Sequence, residues 1–272
     1  MGLRVNTNVA SLTAQRNLSA VTSRLQGNYA RLSSGLRIAN ASDDAAGLAV
    51  SERMRAQIRS FAVAGRNAQD GVSLTQTAEG SLQESSNNLS RMRELAVQAS
   101  NGTLSTTDRA ALDVEFQALS SEIDRVATQT TFNGVNLLDG STATLDIQVG
   151  VNAGESITVN LQDATAATLG ITGQDVTNVA NAQAAITAID TAIDTLNTAR
   201  GDLGASQNRM MSTIASIATQ RENLSAAESR IRDVDIAQET ADLTRNTILQ
   251  QAATSVLAQA NVQPQLALKL LQ

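Results

Sequence analysis

Residues 189–231 read IDTAIDTLNTARGDLGASQNRMMSTIASIATQRENLSAAESRI. Every seventh position of this stretch is apolar: Ile189, Leu196, Leu203, Met210, Ile217, Leu224 and Ile231. An unbroken heptad of this kind marks a coiled-coil seam, because 3.5-residue spacing keeps one stripe of a helix facing its partner. The interleaved positions Ile186, Ile193, Arg200, Gln207, Ile214, Arg221 and Glu228 turn polar in the second half, where they set register or face a partner. At a rise of about 1.5 Å per residue this helix runs roughly 65 Å. A chain built around it makes something long.

Composition agrees with thin helical seams. The 272 residues include only four aromatics, Tyr29, Phe61, Phe116 and Phe132, and the 42% apolar content is mostly Ala, Leu, Val and Ile. Such residues suit close helix-to-helix contact better than a thick globular core. A single proline, Pro264, permits long uninterrupted helices. The absence of Cys and His removes disulfides, thiol catalysis, the commonest zinc ligands and the usual neutral-pH general base.

Charge is unevenly spread. Residues 1–60 carry eight Arg against three acids, whereas residues 101–204 carry thirteen acids against Arg109, Arg125 and Arg200. The acidic middle repels nucleic-acid phosphates and anionic lipid, and the basic start lacks the aromatic interleaving of a base-stacking surface. Neither nucleic acid nor membrane is expected as a partner, and the Arg residues are expected to pair with acids on neighbouring helices. No apolar run of signal-peptide length follows Arg4, and no stretch is long enough to span a bilayer.

From Leu18 the apolar residues Val21, Leu25, Tyr29, Leu32 and Leu36 step by threes and fours, giving a first amphipathic helix that ends at Ser33-Ser34-Gly35. Asn40-Ala41-Ser42-Asp43-Asp44 supplies capping oxygens for a second, long helix to about Ser100, in which Gly65, Gly71 and Gly80 mark close crossings rather than breaks. Ser105-Thr106-Thr107-Asp108 caps a third helix that stops before Phe132-Asn133-Gly134. Between Thr144 and Leu161 the period becomes two, a hairpin around Asn152-Ala153-Gly154. The coiled-coil helix starts near Asn178, and a last helix follows Asp233 and Asp235 and ends near Asn261, before Pro264. The tail holds Leu266, Leu268, Leu270 and Leu271, with Lys269 the only lysine.

The expected fold is therefore mainly α: a long antiparallel helical coiled-coil rod with a small β-hairpin, plus paired N- and C-terminal helices. Both chain ends are amphipathic, and leucines exposed there contribute about 1.5 to 3 kcal/mol each when covered. They call for a partner. A head-to-tail contact that does not close on itself makes an open helical polymer, so self-assembly is expected through Leu18, Val21, Leu25, Leu32, Leu243, Leu249, Val256, Leu257, Leu268 and Leu271.

ARLSSGLRIANASDDAAGLAVS at Ala30–Ser51, NLSRMRELAVQASNGT at Asn88–Thr103, EIDRVATQTTFNGVNLL at Glu122–Leu138 and the leucine-rich tail together closely resemble bacterial flagellin. The resemblance implies a flagellar filament subunit, outside the cell, exported without a cleaved signal and polymerised beneath a cap into the propeller of motility. It implies that residues 1–40 and 234–272 form an inner tube domain and residues 41–233 a rod domain. Only residues 140–178, the hairpin and a short loop region, stand where many flagellins carry a large outer insertion.

It also implies an export chaperone on the C-terminal helix, at Leu243, Leu249, Val256 and Leu257, together with cap and hook-filament junction proteins as partners. Further, it implies host receptor contact at Arg91, Leu95 and Glu115. The segment sensed by plant receptors matches at Asp43 and Gly47, although Ala30 and Ser42 replace the Gln and Lys often found there. No cofactor, metal or enzymatic activity is expected: there is no HExxH, nucleophile elbow or phosphate loop. The rival readings are a hook-filament junction protein, with similar terminal helices but an adaptor role, and a signalling coiled coil, whose membrane or partner anchor is missing.

Overall fold

The computed structural model describes residues 7–269, with side chains through Val262. Five helices account for most of it: α1 (Val9–Ser34), α2 (Ala45–Ala99), α3 (Thr106–Gln129), α4 (Val179–Arg232) and α5 (Ile236–Lys269). Two short antiparallel hairpins lie between α3 and α4: β1 (Thr131–Phe132) with β2 (Val135–Asn136), and β3 (Thr144–Gln148) with β4 (Ser156–Asn160). The mainly α fold expected from the sequence is what the chain adopts. No helix of the described residues is long and apolar enough to cross a membrane.

The chain divides into two compact units. One joins the N-terminal residues up to Ala56 with the C-terminal residues from Asn223, and the other spans Gln57–Glu222. The helices α2 and α4 contribute residues to both.

In the central unit α2 and α4 run antiparallel, as their paired residues show. Arg93 contacts Asp190 at 2.6 Å and Arg200 lies 3.9 Å from Glu79, so positions fall along one helix as they rise along the other. The heptad residues Ile189, Leu196, Leu203, Met210 and Ile217 are buried, as the spacing requires. The second stripe differs from expectation. It consists of Ala185, Ala192, Ala199 and Ser206, all buried, whereas Ile186, Ile193 and Ile214 pack only at the margin of the core. The buried residues of α2 include the small Ala68, Ala78, Ser85, Ala96 and Ala99 alongside Leu82, Leu89 and Met92. Small residues on both helices let the backbones approach, and this is what pushes the larger isoleucines sideways.

Of the three α2 glycines expected at close crossings, Gly71 is one. A Cβ there would meet Met210 Sδ at 2.6 Å and Ile147 at 3.2 Å. At Gly65 the nearest atom, of Ile217, would be at an ordinary 3.7 Å, and at Gly80 there is open space. The helix passes through all three without interruption.

The helix α3 starts with a capping box in which Ser105 and Asp108 satisfy each other's backbone N–H. Its first turn also supplies Arg109, whose buried guanidinium donates to Ala99 O at 2.8 Å and Asn101 O at 2.9 Å, satisfying carbonyls at the end of α2. Further along, Asp113 accepts from Val176 N (3.0 Å) and Asp124 from Ala166 N (2.6 Å), pinning the loop of residues 163–177 to α3. The β3–β4 register pairs Leu145 with Val159 and Ile147 with Ile157, matching the period-two reading, and Asn67 Nδ2 donates to Gln148 O at 3.0 Å to hold the hairpin against α2. The β1–β2 hairpin was not expected. It turns on Asn133 (φ 48°) and Gly134 (φ 81°), the left-handed pair that a two-residue hairpin turn demands.

In the terminal unit α1 begins at Val9, a full two turns before the apolar stripe that starts at Leu18, and Asn8 caps it by accepting from Ser11 N. It ends at Gly35 in the left-handed conformation (φ 71°). Asp43 accepts from the N–H groups of Ala39 and Asn40, and Asp44 from Gly47 N at 2.9 Å, so both carboxylates are taken by backbone at the entry to α2. The strands of chain next to the terminal helices clamp together. Arg37 N donates to Arg232 O at 2.7 Å, Val234 N to Gly35 O at 3.0 Å, and Arg232 pairs with Glu52 at 2.6 Å.

One boundary is a correction. The last helix does not stop at Asn261: α5 continues past Pro264 to Lys269. Proline removes one donor, yet its fixed φ is helical, so the backbone need not leave the helix there.

Candidate assembly surface

The helices α1 and α5 lie antiparallel. Asn8 Nδ2 donates to Ala260 O at 2.8 Å at one end, and Asn28 Nδ2 to Glu239 Oε1 at 2.7 Å at the other. The residues of α1 that turn toward α5 are Ser11, Ala14, Leu18, Val21, Leu25, Asn28 and Leu32, alternately three and four apart, all buried or half-buried. Their counterparts on α5 are Glu239, Leu243, Asn246, Gln250, Ala253, Leu257 and Ala260. This is a two-stranded seam with polar layers near both ends. Near one end Ser11 Oγ donates to Asn261 Oδ1 at 2.8 Å. Near the other, Asn28 is 6% exposed and both donates to Glu239 and accepts from Asn246 Nδ2 at 3.0 Å, with Arg31 3.7 Å from the same Glu239 carboxylate. Buried polar groups tolerate only the register that pairs them, since an orphaned one costs about 1 to 3 kcal/mol.

The leucines expected to dock a partner divide accordingly. Leu25 is buried within the pair, Leu18, Val21, Leu32, Leu243 and Leu257 are half-buried, and Leu249 (43% exposed) and Val256 (58%) face outward. Tyr29, expected in the α1 stripe, is exposed, and Asn28 takes its place. Leu271 lies outside the described residues, as does the side chain of Leu268. The sequence reading overlooked Asn28, Glu239 and Asn246. Their signal was present, since Asn28 falls at the three-four spacing from Leu25 to Leu32.

The pair leaves much apolar surface uncovered. Val9, Leu12, Tyr29, Ile236, Ile248, Leu249, Val256 and Val262 are exposed, eight of the thirteen exposed large apolar residues among the described residues. They fall on two helices of only 26 and 34 residues, so the exposure is concentrated rather than scattered.

In the central unit the expected receptor contacts do not form one exposed set. Arg91 donates to Glu115 and Glu94, each at 2.9 Å, and is exposed. Glu115 first, then Glu94, raises the Arg91 pKa further above its ordinary value. Leu95 is 1% exposed and belongs to the core beneath them, so it supports the α2 surface rather than presenting itself.

Surface electrostatics fix the acid response. The hydrogen bond from Arg232 holds Glu52 below the ordinary carboxylate range, Arg93 does the same for Asp190, and the Asn40 and Ala39 amides for Asp43. Carboxylates depressed in the folded state contribute stability that is present above their unfolded pKa and lost as pH falls through the folded value. With no His in the chain, the unfolding midpoint followed by circular dichroism should stay flat between about pH 5.5 and 8 and fall only below about pH 4. A step centred near pH 6.5 would contradict it.

Comparison with known proteins places this arrangement. The family model for the bacterial flagellin N-terminal helical region matches residues 5–143, and that for the C-terminal helical region matches residues 186–271. The chain is 50% identical to the flagellin of Halalkalibacterium halodurans over 270 residues, covering 98% of this chain and 99% of that protein. It is 46% identical to the flagellin of Bacillus subtilis over 305 residues, covering 99% of this chain and all of the relative. The crystal structure of Bacillus cereus flagellin matches with a TM-score of 0.52 at 36% identity, over 60% of this chain and 94% of that one. These end-to-end matches do not favour the junction-protein alternative. The chain belongs to the bacterial flagellin family and is a non-enzymatic structural subunit of the flagellar filament, outside the cell.

Proposed function

We propose that the subunit polymerises through the α1–α5 pair, residues 1–40 and 234–272 forming an inner tube and residues 41–233 the rod around it, with residues 140–178 outermost. The observation that carries this is the concentration of exposed large apolar residues on α1 and α5, which no other of the described residues covers. Polymer contacts between copies would bury them. Outside assembly the same residues need protection, and an export chaperone would cover Leu243, Leu249, Val256 and Leu257 while the chain leaves the cell unfolded and without a cleaved signal. Cap and hook-filament junction proteins would meet the same terminal helices. Host receptor contact would run through the exposed Arg91–Glu115 pair, with Leu95 supporting the helix from within; the plant-sensed segment would present Asp43 and Gly47.

The test is direct. Purified protein, seeded with short filament fragments or brought to salting-out conditions, should grow into micrometre-long tubes under the electron microscope. A protein that stays monodisperse at high concentration, or that builds only short finite stacks, would remove the proposal.

A further inference from the structure

The dipeptide Asn-Gly occurs twice in the chain, at Asn101-Gly102 and at Asn133-Gly134. Asparagine before glycine can consume its own side chain: with no Cβ on the following residue, the next backbone nitrogen can reach the carboxamide carbon and close a five-membered ring. Both asparagines are exposed, but the fold holds them differently.

Asn101 sits in the loop between α2 and α3, with its side chain folded back along the chain. Its Oδ1 accepts from Thr103 N at 3.2 Å, an Asx turn that lays the carboxamide over the Gly102 peptide. The Thr103 N–H is thereby aimed at the oxygen that turns negative as the ring closes. The attacking group, Gly102 N–H, donates to no backbone carbonyl among the described residues. Ring closure turns the Asn101 Cα–C bond, which here releases Asn101 O from Leu104 N (3.3 Å) and from Arg109 (2.9 Å), while Arg109 keeps Ala99 O. At Asn133 the same rotation breaks a two-residue turn that holds Asn133 at φ 48° and Gly134 at φ 81°, between the rungs Phe132–Val135 and Thr131–Asn136. That hairpin leads straight into buried Leu137 and Leu138, so opening it disturbs the core. The two Asp-Gly pairs are poorer candidates still. Asp70 and Gly71 lie inside α2, where Met210 crowds the glycine. The Asp139 carboxylate is held below the ordinary range by hydrogen bonds from Ser141 and stays ionised, a poor target for attack.

We propose that Asn101 is a site of spontaneous deamidation and isomerisation in the folded protein, whereas Asn133, in the same dipeptide, is protected by its hairpin. Gly102 N, after losing its proton to hydroxide, bonds to Asn101 Cγ; the Cγ–Nδ2 bond then breaks and ammonia leaves, giving a succinimide. Water opens the ring. Cleavage of the bond from Gly102 N to Cγ leaves aspartate. Cleavage of the bond from Gly102 N to the main-chain carbonyl carbon of Asn101 leaves isoaspartate, with the chain rerouted through Cβ and Cγ. The isoaspartate route turns the carbonyl that buried Arg109 holds into a carboxylate. The corner that closes α2 thus gains a negative charge and a longer main chain. Since the reaction needs only water and hydroxide, each subunit accumulates this mark with age.

Peptide mapping by mass spectrometry, with electron-transfer fragmentation to separate aspartate from isoaspartate, follows both sites in the full chain held in mildly alkaline buffer, folded and in concentrated urea. In urea the two sites should convert at rates within about two-fold of each other, since each is then Asn-Gly in an open chain. In the folded chain Asn101 should convert about ten-fold or more faster than Asn133. Gly102→Ala should slow the reaction at Asn101 about ten-fold or more, because a Cβ hinders the attacking nitrogen. It should leave the circular dichroism spectrum unchanged, since Gly102 lies outside the left-handed region and a Cβ on it meets nothing within 4 Å. Equal rates at the two sites in the folded chain, or an Asn101 that converts in urea and stays intact in the folded chain, would overturn the proposal. A rate at Asn101 indifferent to Gly102→Ala would overturn the ring-closure route.

Discussion

Deleting residues 236–272, which removes α5, is expected to abolish polymerisation at every protein concentration while leaving the central unit folded. Two losses coincide. The deletion removes Ile236, Ile248, Leu249, Val256 and Val262, most of the exposed apolar surface of the pair, and it strips α1 of the partner that buries Ala14 and Leu25 and satisfies Asn28. An isolated helix of α1's length is marginal in water without an apolar face to pack, so α1 should melt and α5's absence should propagate to the whole terminal surface. The central unit has its own continuous core from Ala68 to Met210, containing no residue of α1 or α5. Its cooperative unfolding by circular dichroism should therefore persist. Tubes grown from the truncated chain would show that the pair is not the assembly element. Loss of all helical signal would show that the central unit depends on it.

Phe116→Ala should destabilise the central unit by about 3 to 5 kcal/mol. Phe116 is 0% exposed and is the one aromatic of the four that is fully buried, among side chains that are mostly Ala, Leu, Val and Ile. Phe116 belongs to a core cluster drawn from α2, α3, α4 and the β3–β4 hairpin, which limits how far the surroundings can collapse into a ring-sized cavity. Urea unfolding followed by far-UV circular dichroism reads the change. A shift below about 1 kcal/mol would mean that the site collapses around the cavity. Val114→Ala, two residues earlier and 72% exposed, serves as the control and should change stability by less than about 0.5 kcal/mol.

The sequence made helix number, caps and direction legible because each depends on local chemistry. Gly35 closes α1, Ser105 with Asp108 opens α3, and the alternation from Leu145 to Leu161 forms the larger hairpin. What it could not decide was which of two neighbouring stripes faces a partner. Ile186 and Ala185 both satisfy the three-four spacing, and weight of hydrophobicity favours isoleucine. The choice of Ala185, Ala192, Ala199 and Ser206 follows from the small residues of α2 opposite, which are more than eighty positions distant. The same ambiguity substituted Tyr29 for Asn28 on α1. Strands of two residues gave no alternation to read, so only Asn133-Gly134 announced the β1–β2 hairpin.

The assembly site was half legible. The amphipathic ends marked α1 and α5 as the candidate helices, but several of the α1 leucines are turned toward α5, and the outward residues include Val9, Leu12 and Ile248, which no single stripe selects.

The separations in the hydrogen bonds of the terminal pair also govern when it can exist. Asn8 reaches Ala260 across 252 positions and Asn28 reaches Asn246 across 218, whereas Arg93 and Asp190 in the central seam are 97 apart. Helical proteins usually fold through near neighbours; this one must close very long loops. A chain that emerges N-terminus first can zip its middle before α5 appears, but cannot bring Asn8 to Ala260 until Ala260 itself is out. The terminal pair is thus the latest to form, and on the assembly proposed above a subunit becomes able to join its neighbours only once α5 has emerged.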